Sequence, residues 1–129
     1  MSETSRSPLG RSLVFTAAVE GATGLALLAD PAIVAGLLLG SDLSDAGRVV
    51  GRCFGIALLG LALACWPGRQ GGGSGLPAWR GMLTYNLLIA LYLGYLGTAR
   101  NMRGALLWPA VLLHAAAAAW LLLAARRGR

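Results

Sequence analysis

Four long stretches of this chain hold almost nothing but apolar and small residues: 13–29, 49–66, 81–97 and 105–125. Each ends near Arg, Asp, Pro or a cluster of Gly. A helix that crosses a bilayer needs roughly 17–25 consecutive apolar residues. A water-soluble amphipathic helix of that length would carry a polar stripe, and these stretches carry almost none. The pattern predicts an all-α integral membrane four-helix bundle. Residues 1–129 form a single transmembrane domain with spans at about those four positions.

Between the first two spans lies "DPAIVAGLLLGSD". Asp30 suits a helix N-cap, Pro31 the first helical position and Gly40 a C-terminal stop. Ten apolar residues are too few to cross, so the segment reads as a short interfacial helix. The alternative is one long first helix kinked at Pro31. "SDLSDAG" offers Ser44 or Asp45 as cap for the second span. "PGRQGGGSGLPAWR", at 67–80, has the Gly and Ser content of a flexible link. "TARNMRG" is a short turn before the fourth span. Short links make consecutive helices antiparallel neighbours. Trp66, Trp79, Trp108 and Trp120 fall at or near span ends, as indoles at a membrane interface do. Trp120 lies deepest and has the option of packing inside.

Composition agrees: 57% of residues are hydrophobic and 12% charged. The net charge of +6 comes from eleven Arg without Lys, and it carries no nucleic-acid meaning, since all but Arg52 flank the spans. Flanking basic residues set topology. With both termini cytoplasmic, Arg6, Arg11, Arg69, Arg80, Arg126, Arg127 and Arg129 lie inside and Arg48, Arg100 and Arg103 outside. The expected address is a cell inner membrane, multi-pass. The opening "MSETSRSPLGR" precedes an uncleaved first span rather than a removable signal. Cys53 and Cys65 are twelve residues apart on one helix, ~18 Å, too far for a disulfide. They read as small buried side chains.

Each span also holds one conspicuous polar residue: Glu20, Arg52, Asn86 and His114. Polar residues in a membrane avoid lipid, and each of these shares a helix face with small residues that permit close packing. The faces are Thr16, Glu20, Thr23 and Gly24; Arg48, Gly51, Arg52 and Gly55; Asn86, Ala90 and Gly94; and Ala110, His114, Ala117 and Ala118. These four faces are expected to meet in a candidate intramembrane polar cluster. Arg52 reaching down by ~9 Å is one partner for Glu20. His114, level with Glu20, is the other or a third member. Asn86 is expected nearer the cytoplasmic side. Such a cluster either fixes which helices meet, carries a proton or ion, or holds a ligand. No catalytic residue, cofactor or metal site is expected. His114 is the single His, so Ser–His–Asp chemistry and metal-ligand spacing are absent from the sequence, and one His supplies only one axial ligand to a haem. Tyr85 and Tyr92 read as packing or interfacial anchors.

Residues 17–69, "AAVEGATGLALLADPAIVAGLLLG…VGRCFGIALLGLALACWPGR", resemble the first half of small four-helix bacterial membrane proteins of the DoxX-like and related uncharacterised type. The resemblance implies a four-helix bundle and a place near membrane oxidoreductase assemblies, and transfers no catalytic residue. "AAVEGATG" is also similar to the first span of small multidrug resistance transporters, which use one essential Glu. A Glu paired with Arg52 would bind protons and cations poorly, and the segment 31–40 is additional to that family's pattern. The expected function is therefore a non-enzymatic accessory or interaction subunit in a bacterial inner membrane, beside a redox complex. The alternatives are a proton-coupled small-molecule transporter using Glu20, and a membrane enzyme acting on a lipid or quinone. The expected partners are the lipid bilayer and other membrane subunits, or a second copy in a homo-oligomer.

Overall fold

The computed structural model describes residues 7–67 and 75–127. These form five helices: α1 (Pro8–Ala29), α2 (Pro31–Leu39), α3 (Asp45–Cys65), α4 (Leu76–Ala99) and α5 (Leu107–Arg127). All but α2 are long and apolar enough to cross a membrane. Arg6, Arg69, Arg129 and the Gly-rich stretch 68–74 lie outside the described residues.

Local chemistry sets the ends. The Ser7 side chain accepts the Gly10 N–H, and Pro8 occupies the first turn. This carries α1 five residues before the apolar run begins, because capped polar residues extend a helix as well as apolar ones do. Asp30 is extended rather than helical (φ −150°, ψ 95°), so α1 stops and α2 starts anew. Its Oδ1 accepts the N–H groups of Ala32 and Ile33 at 2.9 and 3.2 Å. Gly40 closes α2 in the left-handed region (φ 69°), where a residue without Cβ is unstrained. Ser44, not Asp45, caps α3 by accepting the Gly47 N–H.

Contacts fix the directions. Along α1, Leu27, Gly24, Gly21 and Leu13 meet α3 progressively nearer its C-terminus, at Gly55, Ala62 and Cys65, so the two helices are antiparallel. Leu96, Asn86 and Met82 of α4 meet Leu107, His114 and Leu121 of α5 in the same manner. The hairpins α1–α3 and α4–α5 are the most extensively packed pairs, and α1 also touches α4 and α5. No contact joins α3 to α5 among the described residues. The section is thus a rhombus, with α1 and α4 across its short diagonal.

Two apolar clusters fill it. Near the termini, Leu13, Ala17, Ala62, Cys65, Met82 and Leu121 pack together. At the other end, Leu93, Leu96 and Leu107 pack with Leu38, Leu39 and Met102. There α2 is tied to the α4–α5 turn. The Leu106 N–H donates to the Leu37 carbonyl at 2.8 Å, and Gly104 lies so close to the Leu37 and Leu38 backbone that a Cβ there would overlap it.

One expectation is corrected and one alternative is decided. Cys53 is exposed on the outer face of α3 rather than buried; only Cys65 packs inside. Trp120 does not pack inside: it is 40% exposed and lies against Phe15, ring centroids 5.6 Å apart.

Candidate functional site

Between the two apolar clusters the interior turns polar. On α1 the buried stripe runs Ser12, Leu13, Thr16, Ala17, Glu20, Gly24 and Leu27, positions three and four apart that share one helix face. Ser12 and Thr16 return their hydroxyls to carbonyls of their own helix. Glu20 cannot do this. Its side chain is 1% exposed, and neither carboxylate oxygen has a hydrogen-bond partner.

What surrounds Glu20 comes from α4 and α5. His114 Nδ1 lies 3.6 Å from Glu20 Oε1, an ion-pair distance once the imidazole is protonated. The same Nδ1 is 2.8 Å from Asn86 Oδ1. Asn86, buried at 1%, donates from Nδ2 to the Met82 carbonyl at 2.9 Å. A carbonyl can only accept, so this bond turns the amide oxygen toward His114. Nδ1 therefore carries a hydrogen and donates it to Asn86, leaving Nε2 as the nitrogen that gains or loses a proton. Tyr85 completes the group. Its ring stands edge-on to His114, centroids 5.9 Å apart at 79°. Its hydroxyl approaches the Glu20 carboxylate without satisfying either oxygen.

Of the four residues singled out in the spans, the structure joins Glu20, Asn86 and His114 and leaves Arg52 apart. Arg52 is exposed, and its Nε donates to the Leu28 carbonyl at 3.3 Å. Leu28 lies eight residues along α1 from Glu20, ~12 Å. The reason is physical: a long cationic side chain near a helix end reaches toward the nearer end. There the last carbonyls of α1 lack helical partners and carry the negative end of its dipole. Arg48, expected on the same inward face, is also exposed. The buried stripe of α3 is instead Gly55, Leu58, Ala62 and Cys65. Asn86 is not displaced toward one side, since its bond to His114 puts it level with Glu20.

Tyr85, read from the sequence as packing or an interfacial anchor, belongs instead to this group. Its signal is adjacency: it precedes Asn86 in the middle of α4, far from the ends where tyrosines anchor. Tyr92, by contrast, stacks on Tyr95 at the surface, centroids 6.4 Å apart. Among the described residues no three His, Cys, Asp or Glu are grouped to hold a metal. A cavity of about 170 Å³, lined by Trp79, Leu122, Ala125 and Arg126, lies near the C-terminal end of α5 and is separate from the polar group.

The group can hold a proton. Glu20 as an acid beside neutral His114, or as a carboxylate beside imidazolium, are two arrangements of the same total charge. A buried carboxyl group persists where it is hydrogen-bonded, paired with a cation or protonated, and His114 makes the last two interchangeable. No protein-family model, curated protein or solved structure matches the chain.

Proposed function

We propose that this chain is a proton-coupled transporter of a small molecule in a bacterial inner membrane, with Glu20 and His114 as the site that loads and releases the proton. One observation carries the reading: a Glu side chain 1% exposed, 3.6 Å from a second titratable side chain and approached by the Tyr85 hydroxyl, with no cation fixed beside it. A pair kept only to hold helices together is stable when its remaining acceptors are satisfied. Ionisable groups inside a membrane bundle mark proton and ion paths. The separation of Arg52 from Glu20 also removes the neighbouring positive charge that would disfavour proton loading.

The test is flux. In vesicles enclosing a pH-sensitive dye, adding members of a panel of small molecules outside should change the lumenal pH for at least one of them, and an imposed pH gradient without them should persist. Glu20→Gln should abolish that flux while leaving the helical content and elution volume unchanged. Flux that persists in Glu20→Gln would sink the proposal.

The orientation proposed with it has both termini in the cytoplasm, supported by the Arg distribution, and α2 at the outer interface. Nine residues of α2 span only ~14 Å, and Ile33 and Leu37 are exposed while Pro31 and Ala35 are buried. An impermeant thiol reagent on intact cells should label Ser41→Cys and spare Ser74→Cys in a Cys-free background. The reading as an accessory subunit beside a redox complex rests on the DoxX-like resemblance of residues 17–69 and draws nothing from the polar group. Recovery of a stable partner from native membrane would favour it.

A further inference from the structure

Arg48 and Arg52 stand one turn apart on the outward face of α3, both exposed. Arg52 bonds only the Leu28 carbonyl, and neither Arg has an acid within ion-pair distance among the described residues. Asp45, three residues before Arg48 on α3, forms no ion pair with it, and Asp30 has its Oδ1 committed to capping α2. Two guanidiniums therefore face outward, at the end of a helix long and apolar enough to cross a membrane, with almost all their donors unused.

What adjoins them follows the polarity order of a lipid. Gly51 holds α3 against Pro31, where an added Cβ would come within 2.6 Å of the Pro31 Cβ. The guanidinium of Arg52 is thus moored at the α1–α2 break. Further along the same face of α3 come Ile56 and Leu63, 60% and 78% exposed. The face is cationic at the helix end and apolar towards the middle. An anionic headgroup followed by an acyl chain matches that order. A free anion would match only the cationic part.

We infer that Arg48 and Arg52 bind the phosphate of an anionic phospholipid, whose acyl chain lies along Ile56 and Leu63. A phosphate accepts two parallel N–H donors from one guanidinium, and an Arg near a span end reaches up to the headgroup level where such phosphates lie. The lipid neutralises charge that lipid surroundings otherwise tolerate poorly. The inference rests on the reading of α3 as a membrane span.

The experiment is native mass spectrometry of the full chain released from nanodiscs of mixed phosphatidylglycerol and phosphatidylcholine. The wild-type protein should retain phosphatidylglycerol about tenfold more than phosphatidylcholine, whose phosphate is offset by its own quaternary ammonium and so repaid less by two guanidiniums. Arg48→Gln should abolish most of that preference. The Arg48 side chain makes no hydrogen bond among the described residues, so this variant keeps its fold, whereas Arg52→Gln also loses the Leu28 contact. Equal retention of the two lipids, or an undiminished preference in Arg48→Gln, overturns the site. Inorganic phosphate that stabilises the detergent-solubilised protein as much as phosphatidylglycerol does would show an anion site without lipid specificity, and would overturn the lipid assignment. A chain that fails to enter nanodiscs at all would overturn the membrane reading itself, a result visible by gel filtration before any lipid is measured.

Discussion

At Glu20 two acceptor oxygens are buried without a hydrogen bond, and each such atom costs about 1–3 kcal/mol. Coupling to His114 must offset part of this. A double-mutant cycle on Glu20→Gln and His114→Gln, read by thermal unfolding in detergent, should give an interaction of about 0.5–3 kcal/mol. The cycle of Glu20→Gln with Arg52→Gln should be additive within about 0.5 kcal/mol, because Arg52 acts on the end of α1, ~12 Å away. Strong coupling to Arg52 would contradict the arrangement. Asn86→Leu removes the acceptor that fixes His114 and should cost about 1–3 kcal/mol, with a shift in the pH profile of any flux. Asn86→Gln, which keeps an amide, should lose less. Glu20, Asn86 and His114 were legible in the sequence because a polar side chain in an apolar run is conspicuous. The choice between Arg52 and His114 was not, because counting residues gives the depth of a Cα and not the direction a long side chain takes. Tyr85 was hidden for a different reason: a tyrosine is amphipathic enough that finding one in a span raises no alarm.

Between elements, the closest approach is α1 on α3. A Cβ added at Gly55 would lie 2.7 Å from the Gly24 carbonyl oxygen, and one added at Gly24 would lie 2.8 Å from that of Gly55. Either overlap involves backbone, so the helices themselves must part. Gly55→Ala should destabilise by about 1–3 kcal/mol, the usual cost of overfilling a packed contact. Gly60→Ala, where nothing lies within 4 Å, should be neutral or stabilising by up to about 1 kcal/mol, because Ala is the better helix former. Equal effects at the two positions would show that the approach is looser than described. Asp30→Ala removes a cap accepting two N–H groups and should cost about 1 kcal/mol. The break at Asp30–Pro31 and the stop at Gly40 could be read beforehand, since cap chemistry is local. The starts of α1 and α4 could not be read from hydropathy. Both helices begin among polar or turn-forming residues, at Ser7–Pro8 and Gly75–Pro77, and a measure of apolar runs passes over these.

For the whole molecule, the joining of the two hairpins matters most. The order of the helices followed from short links, but the rhombic section did not, since no local pattern states which diagonal pair touches. At the α2 end a backbone hydrogen bond, Leu106 to Leu37, crosses from one hairpin to the other, with Gly104 seated against Leu38. At the opposite end the chain itself links the hairpins, from Cys65 of α3 to Leu76 of α4, and the described packing between them is by side chains, around Leu13, Met82 and Leu121. Side chains can separate and repack; a shared backbone bond with no room around it cannot slide. The molecule is therefore built like a pair of tongs, riveted at the α2 end and, at the other, tethered by the link from Cys65 to Leu76 but held closed by side-chain packing. Water would then enter toward Glu20 from the side of the chain termini, past Met82 and Leu121. Hydrogen exchange should register the asymmetry, with the amide of Leu106 outlasting those around Leu13. A larger side chain at Gly104, which loosens the rivet, should let water in from both ends and turn a coupled carrier into a leak.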